Sequence, residues 1–227
     1  MVLRVKKRGI VMYCAFILLL FPYLQGSIGL LPGKFYPMMP VIAVVLFLIL
    51  NLKKIKVYPK ELLTWSCILF PCFFQNYDVK TGRYNIVLDF LSVFLIYIIA
   101  KKDKDWIKYF WNVIKIVCVI HFILGLFFLV NKNMLYSVVI PRFTMTENTY
   151  KLLNEAINNG YMTGICNHYS KMGMYMALGT IAFAYPIYDK EMESRKRKIA
   201  LVMFFAFVIG LAMTGKRGPL LFTVLAL

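Results

Sequence analysis

The chain has 227 residues, of which 61% are hydrophobic and only 16% charged, and its mean hydropathy is +0.70. A soluble domain needs about a quarter of its residues charged, so this composition excludes an ordinary soluble protein and predicts an all-α, polytopic helical membrane protein. In such a protein, the net charge of +17 chiefly indicates how the chain is oriented in the membrane, because short loops rich in Lys and Arg stay in the cytosol.

Seven apolar runs approach the roughly 20 residues that a membrane span needs. They lie at about 10–24, 37–52, 61–75, 84–100, 109–130, 172–188 and 199–213. An eighth run, from Pro219 to Leu227, would reach only about 13.5 Å as a helix. We therefore expect residues 1–227 to form a single transmembrane helical domain with seven complete helices and a truncated eighth, cut from a longer protein.

Basic clusters alternate between the two sides of this layout. Placing the N-terminus in the cytosol makes the inner segments about 1–9, 53–60, 101–108 and 189–198, and each of them is strongly basic. This alternation predicts a multi-pass protein of the bacterial cytoplasmic membrane with an uncleaved first helix. Orientation and lipid headgroup contact explain the clusters, so no nucleic-acid partner is expected.

One long external loop, at about 131–171, separates the fifth and sixth predicted spans. Within it, residues 147–160 have the spacing of a short amphipathic helix, with Thr146 as N-cap and with Tyr150, Leu153 and Ile157 on one face. Gly160 supplies the C-terminal stop. Such a helix lies flat on the outer leaflet or covers a cavity.

Two ionisable groups inside predicted spans, His121 and Asp89, are candidates for function, because charge is costly there and often functional. His121 lies in the fifth span and either relays protons or, more commonly for such a residue, is neutral and hydrogen-bonded to a neighbouring helix. Asp89 lies below the outer end of the fourth span and either pairs with a structural cation or contacts substrate. The five cysteines have no CxxC spacing, and neither a metal site nor a cofactor is predicted.

The outer turn Met213-Thr-Gly-Lys-Arg-Gly-Pro219 is the sharpest cluster of the sequence. Its glycines and proline favour a tight turn, which places Lys216 and Arg217 at the membrane mouth beside backbone N–H groups. A guanidinium in that setting suits a phosphate, which it binds bidentately. The alternative is a short topological loop whose charges only touch lipid headgroups.

A second outer cluster, at 160–175, leads into the sixth span. Asn167, His168, Tyr169, Ser170 and Lys171 follow one another where that span begins. Consecutive polar side chains at this position bind a sugar or phosphate, or form an interfacial belt.

Two stretches resemble the O-antigen ligase and polysaccharide polymerase family of bacterial membrane proteins. Gly164-Ile-Cys-Asn-His-Tyr-Ser-Lys-Met-Gly is similar to the family's Gly-aromatic-x-Asn element, although Ile165 stands where an aromatic is usual. Leu211-Ala-Met-Thr-Gly-Lys-Arg-Gly is similar to its Leu-Thr-x-Ser-Arg-Gly turn, with Lys216 in place of Ser. The resemblance covers about residues 140–227 by motif and the earlier part by span pattern only.

The resemblance implies glycosyl transfer outside the cytosolic membrane, from a polyprenyl-pyrophosphate-linked oligosaccharide to another sugar chain. Arg217 and Lys216 would then stabilise the leaving pyrophosphate without a metal. Substrate-binding roles would fall to Arg142, Asn167, His168 and Asp89. A base for the acceptor hydroxyl would come from His168, Glu147 or Glu155. In the family, a second outer loop beyond this turn also contributes catalytic groups. Other polysaccharide-assembly membrane proteins are implied as partners.

Two further functions remain open from the sequence. A transporter or flippase for lipid-linked sugars would concentrate polar groups near mid-bilayer and often shows duplicated halves, whereas no duplication is visible here. A noncatalytic assembly subunit would need no charged outer pocket.

Overall fold

The chain is all-α. The computed structural model describes residues 10, 12–17, 42–43, 45, 58–69, 94, 96–98, 100–101, 105–142, 147–166, 168–189 and 192–227. Of these described residues, 86% are helical and none lies in a strand. The all-α prediction is therefore confirmed over this part of the chain.

The described residues cluster into two compact units, one ending at Phe110 and the other beginning at Trp111. In the first unit, helix α1 spans Pro59–Leu69. Glu61, in its first turn, makes several polar contacts. The Glu61 carboxylate pairs with Lys101 Nζ at 2.6 Å and accepts a hydrogen bond from the Tyr97 hydroxyl at 2.7 Å. It also accepts the Tyr58 backbone N–H at 3.0 Å, which caps the start of α1.

Five helices form most of the second unit. Helix α2 spans Trp106–Val130, α3 spans Glu147–Asn158, α4 spans Tyr169–Tyr188, α5 spans Ser194–Met213 and α6 spans Arg217–Ala226. The first residues of α2, to Phe110, belong to the first unit. Between α2 and α3, Lys132–Met134 forms a short helix, Leu135–Val139 a π-helical turn and Ile140–Arg142 a 3₁₀ turn.

Helices α4 and α5 pack closely on each other, and glycines on each helix make room for large side chains of the other. A Cβ atom on Gly179 would lie 2.4 Å from the Phe207 ring, and a Cβ on Gly210 would lie 2.9 Å from Met176 Sδ. Small residues at such crossings are typical of helix pairs in membranes. Phe122 of α2 also contacts Gly210 and packs on Phe207, with ring centroids 5.2 Å apart, so α2, α4 and α5 form one bundle.

The loop predicted to be external packs on one end of this bundle. Helix α3 buries Leu153, Ala156 and Ile157, and Leu153 and Ile157 belong to an apolar cluster with Phe128 of α2 and with Leu135. The helix predicted at 147–160 is confirmed, and its apolar face packs on protein rather than lying on the outer leaflet. Tyr150, predicted on that face, is instead 42% exposed. Thr146, the predicted N-cap, lies outside the described residues.

The number of membrane-spanning helices differs between the sequence prediction and the described part of the structure. Trp106–Val130 is the one helix among the described residues that is long and apolar enough to cross a bilayer, against seven predicted spans. Helix α5 begins with the basic run 195–198, so its apolar part is shorter than the helix. Helix α4 has the length, but its Lys, Thr, Gly and Tyr residues lower its hydropathy. Most of the runs at 10–24, 37–52 and 84–100 lie outside the described residues.

Candidate functional site

The site is built around the turn that joins α5 to α6. Helix α5 ends at Thr214, whose buried hydroxyl donates to the Leu211 carbonyl at 2.7 Å. Gly215 follows with a φ of +66°, and its N–H donates to the Ala212 carbonyl at 3.0 Å. A left-handed residue is a common end for a helix and favours glycine. The tight turn predicted at this motif is confirmed.

The buried loop at 162–166, which is part of the loop predicted to be external, packs directly on this turn. The Met162 N–H donates to the Met213 carbonyl at 2.9 Å, which satisfies an otherwise unpaired group at the end of α5. The loop residues 162–166 are all buried. A Cβ on Gly215 would lie 2.5 Å from the Tyr161 ring. Glycine at 215 therefore allows the tyrosine ring to rest on the turn itself.

Three aromatic rings line up beside this turn, and we call Tyr161, His168 and Tyr169 the aromatic cluster. The Tyr161 and Tyr169 rings are nearly parallel, 4° apart in plane, with centroids separated by 6.4 Å. The His168 ring stacks on Tyr169 at 5.1 Å and 16°. Lys216 completes the arrangement, because its Nζ lies 3.6 Å from the centre of the Tyr169 ring. This is a cation–π contact, worth about 0.5–2 kcal/mol depending on solvation.

His168 is the N-cap of α4. Its Nδ1 accepts the Ser170 backbone N–H at 3.2 Å, so the neutral imidazole carries its proton on Nε2. Burial, with Lys216 and Lys171 nearby, holds the pKa of His168 below its usual value. The ring therefore stays neutral near pH 7 and offers an Nε2–H donor. In this tautomer it suits hydrogen bonding to substrate better than proton abstraction.

Arg217 is the first residue of α6, and its side chain is exposed. Among the described residues, none forms an ion pair or hydrogen bond with its guanidinium. A Cβ on Gly218, the next residue, would meet nothing within 4 Å, so the space at this helix end is open. The N–H groups of a helix's first turn have no partner within the helix and carry partial positive charge. Contact between Pro219 and Gly173 holds α6 against α4.

The other predicted site residues divide into two groups. Arg142 is exposed in the 3₁₀ turn between α2 and α3. Glu147 is exposed and pairs with Lys151 at 3.0 Å, and Glu155 is exposed on α3. Asn167 and Asp89 lie outside the described residues.

His121 lies apart from the turn, on the face of α2 that packs on α4. It is only 4% exposed and stacks on the Tyr175 ring at a centroid distance of 3.9 Å. Its Nδ1 bonds the Val117 carbonyl, one turn earlier on its own helix, at 2.9 Å. The expected hydrogen bond to a neighbouring helix is therefore replaced by a bond within α2. The buried Nε2 has no hydrogen-bond partner among the described residues.

Tyr161 lies within the cluster predicted at 160–175, although no separate role was predicted for it. It lies several residues before the polar stretch at 167–171, and only the folding of the loop onto Gly215 brings it beside Tyr169. The available signal was Gly160-Tyr161, an aromatic residue directly after a helix stop.

Comparison of the chain with protein-family models, with curated proteins and with solved structures finds no match.

Proposed function

We propose that this chain is a multi-pass protein of the bacterial cytoplasmic membrane whose α5–α6 turn faces outward and binds a polyprenyl-diphosphate-linked sugar. Exposed apolar side chains support the membrane setting. Helices α2, α5 and α6 each expose a row of large apolar residues. These are Ile116, Ile120 and Ile123 on α2, Val202, Phe205 and Ile209 on α5, and Leu221, Val224 and Leu225 on α6. Apolar surface of this extent is unusual on a soluble monomer, whereas lipid tails would cover it.

The observation that carries the ligand proposal is a pair of cations at this turn with which no carboxylate among the described residues pairs. Lys216 is held on an aromatic ring instead of a carboxylate, and Arg217 projects beside the open N-terminus of α6. Charge-assisted hydrogen bonds from a guanidinium and from helix N–H groups are the interactions that bind phosphate oxygens best. A diphosphate anchored at the membrane surface would meet both.

The proposed reaction is glycosyl transfer, as the sequence resemblance suggests. An acceptor hydroxyl forms a bond to the anomeric carbon of the donor sugar, and the bond from that carbon to the phosphate oxygen breaks. The hydroxyl proton passes to water at the exposed turn, and the bonding electrons leave with the diphosphate, so negative charge grows beside Arg217 and Lys216. Fixed cations at that position stabilise the transition state more than the ground state. His168 Nε2–H is a hydrogen-bond donor available to substrate.

A transporter or flippase for the same lipid is the second candidate. The buried, half-satisfied imidazole of His121 favours it, because transporters place polar groups near mid-bilayer. A noncatalytic assembly subunit is the third candidate, and in that case the turn would bind no diphosphate.

Substitution of Arg217 tests the proposal. In the cell that makes the protein, Arg217→Ala should abolish polymer formation and leave lipid-linked repeat units accumulating on the outer face. Arg217→Lys should be nearly as defective, because an ammonium cannot bind phosphate bidentately. With purified full-length chain in phosphatidylcholine nanodiscs, Arg217→Ala should weaken binding of undecaprenyl diphosphate about tenfold or more, as expected for a lost charge-assisted hydrogen bond.

The control is Arg195→Ala, which removes an exposed arginine at the start of α5 and should leave binding unchanged. Normal polymer from Arg217→Ala cells would rule out the transferase. Repeat units trapped on the cytosolic face would favour the flippase.

A further inference from the structure

We infer that the aromatic cluster is a sugar subsite, and that it binds the pyranose ring nearest the diphosphate of the lipid-linked donor. This inference rests on the proposed function and adds to it the part of the ligand that the rings contact. It assigns Tyr161 and Tyr169 to stacking on the sugar, and His168 to hydrogen bonding with its hydroxyls.

The chemistry of the rings suits a pyranose. A sugar ring has faces of C–H groups and an edge of hydroxyls, so it binds where flat apolar surfaces carry polar groups at their rims. Tyr161 and Tyr169 present two nearly parallel rings with phenolic hydroxyls, and His168 adds an Nε2–H donor. Amphipathic rings of this kind supply a large contact area together with a polar handle.

The rings are also fixed in place and accessible. Tyr161 rests against Gly215, so that even a methyl group there would overlap the ring. Tyr169 is the first residue of α4, where the His168 cap holds the backbone. Tyr161 is nevertheless 39% exposed, which is unusual for a ring held against backbone at this end of the bundle. A rigid, exposed ring loses little entropy when a ligand covers it.

The position of the rings selects which sugar they bind. Lys216 Nζ lies 3.6 Å from the centre of the Tyr169 ring, so the cation and the aromatic surface are in contact. A phosphate bound by Lys216 and Arg217 is joined to its sugar through the anomeric oxygen. The first sugar ring must then lie directly beside that phosphate, and the aromatic cluster is the surface that Lys216 contacts there.

The experiment compares two probes on the purified full-length chain in phosphatidylcholine nanodiscs. The first is undecaprenyl diphosphate, and the second is a set of the same lipid bearing a single glucose, galactose or N-acetylglucosamine. Tyr161→Ala should weaken binding of the preferred glycosylated lipid about three- to tenfold, the range expected for loss of one aromatic contact, and should leave the sugar-free lipid unaffected. Tyr161→Phe keeps the ring and should retain most of the preference.

Tyr150→Ala is the matched control. Tyr150 has nearly the same exposure as Tyr161, 42% against 39%, but lies on α3 away from the turn, so both affinities should stay unchanged. Thermal denaturation checks that each variant is folded.

Three results would overturn the sugar subsite. The first is an equal effect of Tyr161→Ala on both probes, or no effect on either. The second is a loss in Tyr161→Phe as large as in Tyr161→Ala. The third is competition by uridine diphosphate that depends on Tyr161, which would mean that the rings stack on a nucleobase. Failure of the native chain to bind either lipid would instead reject the proposed function itself.

Discussion

The two ends of the α4–α5 helix pair carry basic clusters of different construction. At the end formed by 189–198, Lys196 pairs with Glu193 at 3.0 Å, and Arg197 donates to the Asp189 carbonyl at 2.7 Å. At the other end, Lys216 lies over a tyrosine ring, and no carboxylate among the described residues pairs with Arg217. The first cluster has protein partners and suits a topological role. The second leaves its cations available for an anion.

The largest expected effect concerns the side of the membrane on which each cluster lies. In intact cells, a membrane-impermeant maleimide should label Gly218→Cys above the level of the unsubstituted chain. Ser194→Cys should react only after the cells are permeabilised, because positively charged short loops stay in the cytosol. Both positions are exposed in the structure, so access to reagent is limited only by the membrane. Equal labelling of the two variants in intact cells would break the comparison.

A smaller effect is expected from the backbone of the α5–α6 turn. This turn contains a residue in the left-handed conformation, whereas the described part of the connection at 189–198 contains none. Gly215→Ala should lower the free energy of unfolding by about 2 kcal/mol or more, because a left-handed alanine costs roughly 1–2 kcal/mol and its methyl group would also displace Tyr161. Denaturation in detergent measures this.

Gly218→Ala is the control for that change, since it adds the same methyl group in open space at a helical position. It should be neutral to within about 0.5 kcal/mol. If both alanine variants lost the same stability, Tyr161 would not rest on Gly215 as described.

The smallest effect comes from exchanging one lysine in each cluster for methionine, which is unbranched and only one atom shorter. Lys216→Met should destabilise the protein by about 0.5–1 kcal/mol through loss of the cation–π contact. Lys196→Met breaks an exposed ion pair and should cost less than about 0.5 kcal/mol. Denaturation midpoints of the two variants decide the order, and a larger loss for Lys196→Met would contradict it.

Local patterns predicted much of what the structure describes. The apolar runs at 109–130, 172–188 and 199–213 correspond to α2, α4 and α5, and the spacing at 147–160 predicted α3. Glycine and proline content predicted the turn at Gly215. These features depend on neighbours close in sequence, so periodicity and turn chemistry suffice to locate them.

The arrangement of the site could not be predicted in the same way. Tyr161 and Gly215 are far apart in sequence, and they meet where the Met162–Met213 hydrogen bond joins the loop after α3 to the end of α5. The role of His168 was also open, since a histidine before a helix can be a base or a cap. Arg142 was expected to contribute to the site, and the structure shows it only as an exposed residue of the 3₁₀ turn between α2 and α3.

The sequence by itself determined that the chain is helical, apolar and basic, and where its main helices in the second unit lie, because those properties follow from composition and from side-chain spacing along one segment. The tertiary structure alone decided that two tyrosines and a lysine from separate segments share one surface. That shared surface depends on the Tyr161 ring packing on Gly215 and on the Met162–Met213 hydrogen bond. Both contacts join segments that are distant in sequence, so neither can be read from one segment alone.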